Sequence, residues 1–299
     1  MQNQNSVQSF PIRLAVRLAL PFAVFTLLVL CALSLFAQSR FVPQRAASLS
    51  VTHVASGHGV VSPGCAAALN GGQFAAEGHQ AIRWPLPIEL AGVTVKVGGI
   101  EAAIYAADVH TVRFIVPDVP RKSGLMWDAI WQQQRFSPRE LMALGRTFEG
   151  LSTTQAPLIR WHRVEVTSPF GNYSGWAALA PTSPGFYEQA DAASGQAVPQ
   201  GVYVTNRQAP ALITAAPIPN ADTALILTGS GFLRAKALFA FISNEADGYW
   251  VVPIAAAKMG LFDWIENVTI PIPSDAHGRL TITAQADAMW SQQVQVMVE

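Results

Sequence analysis

From residue 58 onward the chain is built of short runs in which apolar and polar positions alternate. Gly92-Val93-Thr94-Val95-Lys96-Val97-Gly98-Gly99-Ile100 shows the pattern most plainly: three valines fall on one side of a period-two ladder, threonine and lysine on the other, and a glycine pair ends it. Such alternation predicts a half-buried β-strand. Ala102–Tyr105 and Thr111–Val116 read as the next strands, with Ala107-Asp108 as turn material. Arg163–Thr167 and Ala177–Leu179 follow, joined by the turn Pro169-Phe170-Gly171-Asn172. A second series is predicted at Ala224–Leu227, Ala237–Ile242, Tyr249–Ile254, Asn267–Ile272, Arg279–Gln285 and Gln292–Val298. Between the two series, Gly185–Glu188 and Gly201–Val204 can pair across Ala193-Ser194-Gly195. Short strands separated by turn residues point to β-sandwiches.

The two series are degenerate copies. Leu69-Asn70-Gly71-Gly72-Gln73-Phe74 is echoed by Leu227-Thr228-Gly229-Ser230-Gly231-Phe232, and Val112-Arg113-Phe114-Ile115-Val116-Pro117 by Val268-Thr269-Ile270-Pro271-Ile272-Pro273. His162-Arg163-Val164-Glu165-Val166-Thr167 is echoed by Gly278-Arg279-Leu280-Thr281-Ile282-Thr283, with Trp176 and Trp290 beyond them. The separations are 158 residues at Gly71/Gly229, 156 at Pro117/Pro273 and 116 at Arg163/Arg279, so the first copy carries about 40 extra residues after Pro117. A repeat on this scale makes the fold class all-β, two tandem Ig-like sandwiches. Recurrence of Trp176 and Trp290 predicts core packing for both.

The insertion at 121–158 has a different pattern. Leu125–Trp131 can form a short helix, and Ser137-Pro138-Arg139-Glu140 is a helix start, with a capping serine, proline at the first helical position and an acid three residues after the cap. The fold expected is thus two sandwiches with a partly helical insertion in the first. Trp127, Trp131 and Phe136 are the candidate partner-binding residues. Aromatics supply much of the energy of recognition surfaces, while their alternative role is to pin the insertion to the sandwich.

Leu18–Gln38 holds no charged residue and follows Arg13 and Arg17. An apolar helix there has two readings. Ala37-Gln38-Ser39 suits cleavage of a signal peptide, and residues 18–37 are long enough to remain as a membrane anchor with a cytoplasmic N-terminus. Leu30 before Cys31 is too large for a lipidated cysteine. The expected organisation is 1–39 signal peptide or membrane anchor, 40–57 linker, 58–182 first module, 183–209 connector and 210–299 second module. Both readings place the modules outside the cytoplasm.

Composition narrows the function. At 51% hydrophobic and 13% charged, the chain can build cores and is not a disordered class. No acid precedes Glu77, while Arg13, Arg17, Arg40 and Arg45 do, leaving 15 basic against 19 acidic residues from there on. That balance gives no footprint for nucleic acid. Cys31 and Cys65 lie in the apolar run and the first module, so no disulfide is expected between them. The histidines His53, His58, His79, His110, His162 and His277 form no close metal-ligand pair. His53 and His58, in the linker, are expected to be solvated. Gly229-Ser230-Gly231 has a glycine turn as its copy, not a nucleophile, and Asn244-Glu245-Ala246-Asp247-Gly248 reads as a polar loop rather than a calcium site.

Val61-Ser62-Pro63-Gly64, Trp84-Pro85-Leu86-Pro87, Leu90–Ile100, Val166-Thr167-Ser168-Pro169-Phe170-Gly171 and Ala180-Pro181-Thr182-Ser183-Pro184-Gly185-Phe186 occur in an order that resembles a family of uncharacterised bacterial extracellular domains. These are Ig-like, IPT/TIG-like domains at the C-termini of secreted soil-bacterial proteins. Leu227–Phe232 is also IPT/TIG-like. The resemblance covers roughly 58–118, 160–187 and 210–299. The chain departs from it at Cys65-Ala66-Ala67-Ala68, where a weak strand is expected, and in the enlarged loop after Pro117. What it implies is a secreted, non-enzymatic Ig-like module with no catalytic residues and no cofactor. The expected function is therefore binding or spacing at the cell surface, with an unknown protein or glycan as partner. Carbohydrate binding through the insertion aromatics is the alternative, and a hydrolase using Asp128, Glu140 or Glu149 the third.

Overall fold

A computed structural model describes residues 49–120, 124, 159–205, 208–220, 222–246, 248–259 and 262–299. These residues belong to one compact unit, Ala47–Glu299. The apolar N-terminal helix and the helical insertion fall outside the described residues.

The first sandwich contains β1 (Ser50–His53), β2 (Val60–Val61), β3 (Ala66–Asn70), β4 (His79–Gln80), β5 (Glu89–Leu90), β6 (Val93–Val97), β7 (Ile100–Glu101), β8 (Ala103–Ala107), β9 (Thr111–Ile115), β10 (Arg160–Ser168) and β11 (Gly171–Leu179). One sheet runs β1-β3-β9-β8-β4 and the other β2-β11-β10-β6-β5, with β7 also on β6. Two successive segments at the start of the sandwich thus serve different sheets: β1 pairs antiparallel with β3, while β2 pairs parallel with the last strand, β11. Mapped onto strand letters, the sheets read A-B-E-D and G-F-C, the immunoglobulin arrangement.

The second sandwich repeats it with β12 (Gly185–Phe186), β13 (Glu188–Ala190), β14 (Ala197–Pro199), β15 (Gly201–Thr205), β16 (Gln208–Leu212), β17 (Ala224–Ser230), β18 (Leu238–Asn244), β19 (Tyr249–Pro253), β20 (Ala255–Met259), β21 (Phe262–Pro271), β22 (Gly278–Ala286), β23 (Met289–Trp290) and β24 (Val294–Val298). Its sheets are β16-β15-β17-β21-β20, with β12 on β17, and β19-β18-β22-β23, with β24 on β22. A parallel bridge from Ile218 to Val298 again ties an early segment to the last strand.

The alternation seen in the sequence is what fills the cores. Val93, Val95 and Val97 point inward while Thr94 and Lys96 point out. Leu280, Ile282 and Ala284 point inward while Thr281, Thr283 and Gln285 do not. The first core includes Leu69, Phe74, Ile104, Phe114, Val164 and Val166, and the second Leu225, Leu227, Phe232, Ile242, Val268 and Ile270. Each such side chain contributes about 1.5–3 kcal/mol by leaving water.

Several expectations need correction. Residues 50–53 lie in the stretch read as linker, yet form a strand. Likewise β12 and β15, expected in a connector, pair with β17 of the second sandwich. The hairpin across residues 193–195 is made by β13 and β14 rather than by 185–188 and 201–204. The alanine-rich β3 is not weak: it is held between β1 and β9, so ladder pairing on both sides overrides its modest propensity.

Candidate functional site

Three surfaces or seams carry side chains not needed by the cores. The first is the joint between the sandwiches. Met289 packs with Val60, Trp161, Ala178 and Ala180 of the first sandwich, and Trp176 lies half-buried against that cluster. Trp264 of β21 stacks on Tyr105 at 5.9 Å and meets Trp84 at a tilt of 34°, with ring centroids 5.4 Å apart. Polar groups close the seam. Ser183 Oγ donates to the Val60 carbonyl at 2.7 Å and Thr182 Oγ1 to that of Ala286 at 2.9 Å. The Gln292 amide donates to the carbonyls of Ala55 and Phe186 and accepts from the Phe186 N–H.

Buried titratable groups sit in this seam. Glu266 is 4% exposed and accepts hydrogen bonds from the Gly231 and Phe232 N–H groups at 3.1 and 2.7 Å. Burial raises its pKa against the pull of those donors. Gly231 has φ +85°, and a Cβ there would overlap the Ser183 carbonyl, so glycine is required. Burial holds Cys65 as a thiol with its pKa pushed up to about 12, which removes the thiolate that nucleophilic chemistry needs.

His53 is not solvated, as a linker residue would be. It is fully buried, with Nδ1 accepting from the Ser56 N–H. Desolvation lowers its pKa to about 3, so it is neutral at pH 7.

The second feature is an open groove of about 360 Å³ on the outer face of β6, β10 and β11, lined by residues that include Thr94, Lys96, Arg163, Glu165, Thr167, Asn172 and Ser174. Its charges are already engaged. Lys96 lies 3.8 Å from Glu101 and Arg163 lies 3.1 Å from Glu165. Both pairs are exposed, and such pairs contribute little to stability.

The third is the outer face of the β19-β18-β22-β24 sheet. Phe239 and Phe241 of β18, Tyr249 and Val251 of β19, and Trp290 of β23 share it. Tyr249 is 62% exposed, Val251 49%, Phe239 40% and Trp290 38%. Ring centroids place Phe241 6.2 Å from Tyr249 and 4.7 Å from Trp290. Neither Trp176 nor Trp290 belongs to a sandwich core. The first packs at the joint and the second lies on this face, because one sits in the last strand of its sandwich and the other in the short strand before it.

The aromatics Trp127, Trp131 and Phe136 and the acids Asp128, Glu140 and Glu149 lie outside the described residues. Among the described residues no group of three or more His, Cys, Asp or Glu side chains could hold a metal ion. No helix among them is long and apolar enough to cross a membrane, and residues 18–37 are not among them. Asn244 Oδ1 accepts from the Ala246 and Gly248 N–H groups, the turn geometry of a polar loop.

No protein-family model matches the chain, and no curated protein matches it. Among solved structures it is similar to the Bacteroides ovatus mixed-linkage glucan utilization locus SGBP-B in complex with a mixed-linkage heptasaccharide. The identity is 13% over 81% of this chain and 43% of that one, with a TM-score of 0.29. It is also similar to domains 5-6 of the S-layer protein SbsC (11% identity, 85% and 96% of the two chains, TM-score 0.24) and to titin Ig tandem domains (8%, 84% and 97%, TM-score 0.18). The chain spans less than half the length of the first of these. The immunoglobulin arrangement assigned above rests on the strand pairing.

Proposed function

We propose that this chain is a non-catalytic binding or spacer protein that works outside the cytoplasm, exported or membrane-anchored through residues 18–37. The observation that supports this reading best is the joint. Two Ig-like sandwiches meet through buried apolar, aromatic and hydrogen-bonded contacts rather than through a free tether. A rigid pair of this kind holds loops and sheet faces at fixed separation, which suits presentation to a partner. The resemblance to secreted IPT/TIG-like domains supports the same reading.

Small-angle scattering and denaturant unfolding test it together. A single cooperative transition and a scattering profile that fits one fixed arrangement are expected. Met289→Asp together with Trp264→Ala should split the transition in two. Independent tumbling of the wild-type sandwiches sinks the rigid-spacer reading, and recovery of the chain in the cytosolic fraction sinks export.

Recognition through the 121–158 insertion belongs to the same proposal. Its check is affinity capture from envelope extract, with residues 123–157 replaced by a short Gly/Ser loop in the control. A second reading, carbohydrate binding, draws its support from the exposed aromatics of the second sandwich rather than from Trp127, Trp131 and Phe136.

A further inference from the structure

We propose that the outer face of the β19-β18-β22-β24 sheet is a binding site for a neutral glycan. The inference rests on the binding half of the function proposed above and gives that function a site and a ligand class.

Phe241 and Phe239 stand at register positions that face away from the core. The core-facing positions of β18 are taken by Ala240 and Ile242, which are completely buried. The second core therefore closes without these rings, and their exposure gives the sandwich itself no stability. Phe241 lies between Tyr249 and Trp290 and is more covered than either, so the three rings form a continuous aromatic strip on the sheet.

The strip crosses a row of uncharged hydrogen-bonding side chains on β22, the strand between β18 and β23. Thr283 is the β22 partner of Phe241, Gln285 of Phe239 and Thr281 of Ser243. Arg279, the next outward position of the same strand, lies 3.9 Å from Glu245 at the sheet end. That pair compensates itself, so the row has no net charge, and its complement must be neutral too. Nucleic acid, acidic peptides and anionic lipid headgroups would meet only a cation already paired with a carboxylate here. The ligand must also offer apolar C–H faces to the rings and hydroxyls to the threonine and glutamine row. A neutral saccharide has both properties, and a strip of three rings is long enough to engage more than one sugar unit.

The test is affinity electrophoresis of the full chain in a non-glycosidic detergent. The gels contain a soluble β-glucan, a galactomannan, a xylan or amylose, with polygalacturonate as the charged control. At least one neutral polymer should retard the wild type, and polygalacturonate should not. Trp290→Ala and Tyr249→Ala should each weaken retention about tenfold, while Tyr249→Phe keeps it. Circular dichroism and an unchanged melting temperature confirm that the variants are folded.

No retardation by any neutral polymer overturns the proposal. So does retardation that the face variants leave unchanged. If shortening the insertion abolishes glycan retention and the face variants do not, the site fails while the binding reading stands. If the same face variants abolish a concentration-dependent dimer instead of glycan retention, a second copy of the chain is the occupant and the glycan site fails.

Discussion

The turns after β3 and after β17 occupy the same slot in the two sandwiches and close over the same buried phenyl ring, yet different groups hold them. In the first, the Phe74 N–H donates to the Val109 carbonyl, the Gln73 N–H to Tyr173 Oη, and Tyr173 Oη to the Gln73 carbonyl. In the second, the carboxylate of Glu266 takes the N–H groups of both Gly231 and Phe232. Gly71 and Gln73 are exposed, whereas Gly229 through Phe232 are buried beneath the joint. Neutral partners suffice where water is near. Where the turn is sealed under a neighbouring sandwich, a single side chain supplies two acceptors, at the cost of desolvating a carboxylate. A repeat can thus keep its shape while one copy is re-engineered for docking.

The strongest challenge to this comparison is removal of the shared rings. Phe74→Ala and Phe232→Ala should each destabilise by about 3–5 kcal/mol in chemical denaturation. Only Phe232→Ala is expected to loosen the joint as well, seen as a second transition. Glu266→Ala leaves two buried donors without acceptors and should cost about 2–3 kcal/mol, with Glu266→Gln costing less because its amide oxygen still accepts.

Acidification probes the joint from the other side. The folded pKa of His53 is depressed to about 3 against an ordinary value of 6.5, so below pH 6.5 the unfolded chain binds a proton that the folded chain refuses. Stability is then lost as pH falls from 6.5 toward 3, by up to about 1.4 kcal/mol per pH unit. His58 and His162, also lowered by burial, add to the same slope. Melting temperatures across this range should show the slope, and His53→Leu should flatten it. Glu266 acts with opposite sign. Its raised pKa gives stability that is present at low pH and lost as pH rises through the folded value. The smallest effect is expected from Tyr173→Phe, about 1 kcal/mol, confined to the first sandwich.

The three echoed motifs were legible because they are structural. They fall on β3 and β17, β9 and β21, and β10 and β22, where core-facing residues recur with period two. The Trp176/Trp290 echo misled because matching tryptophans can serve different surfaces. Strand β1 was hidden because only Val51 and His53 of its four residues face inward, too short a pattern to separate from a linker. The two strands read in the connector were paired with each other because their actual hydrogen-bond partner, β17, lies in the second sandwich, beyond any local signal. The aromatic face was illegible for another reason. Leu238-Phe239-Ala240-Phe241-Ile242 is apolar on both sides, so the run reads as a wholly buried strand, and only the fold separates the rings that face out from the residues that face in.

The parallel pairing of an early segment with the last strand in each sandwich has a mechanical consequence. Val60 and Val61 run alongside Ala178 and Leu179, and Ile218 is clamped between the Met297 carbonyl and the Glu299 N–H. Tension transmitted along the polypeptide through either sandwich pulls these paired segments past one another in opposite directions. Their hydrogen bonds are loaded in shear and share the force, instead of opening one by one as a hairpin would when peeled. Each sandwich is therefore latched where an early segment meets its last strand.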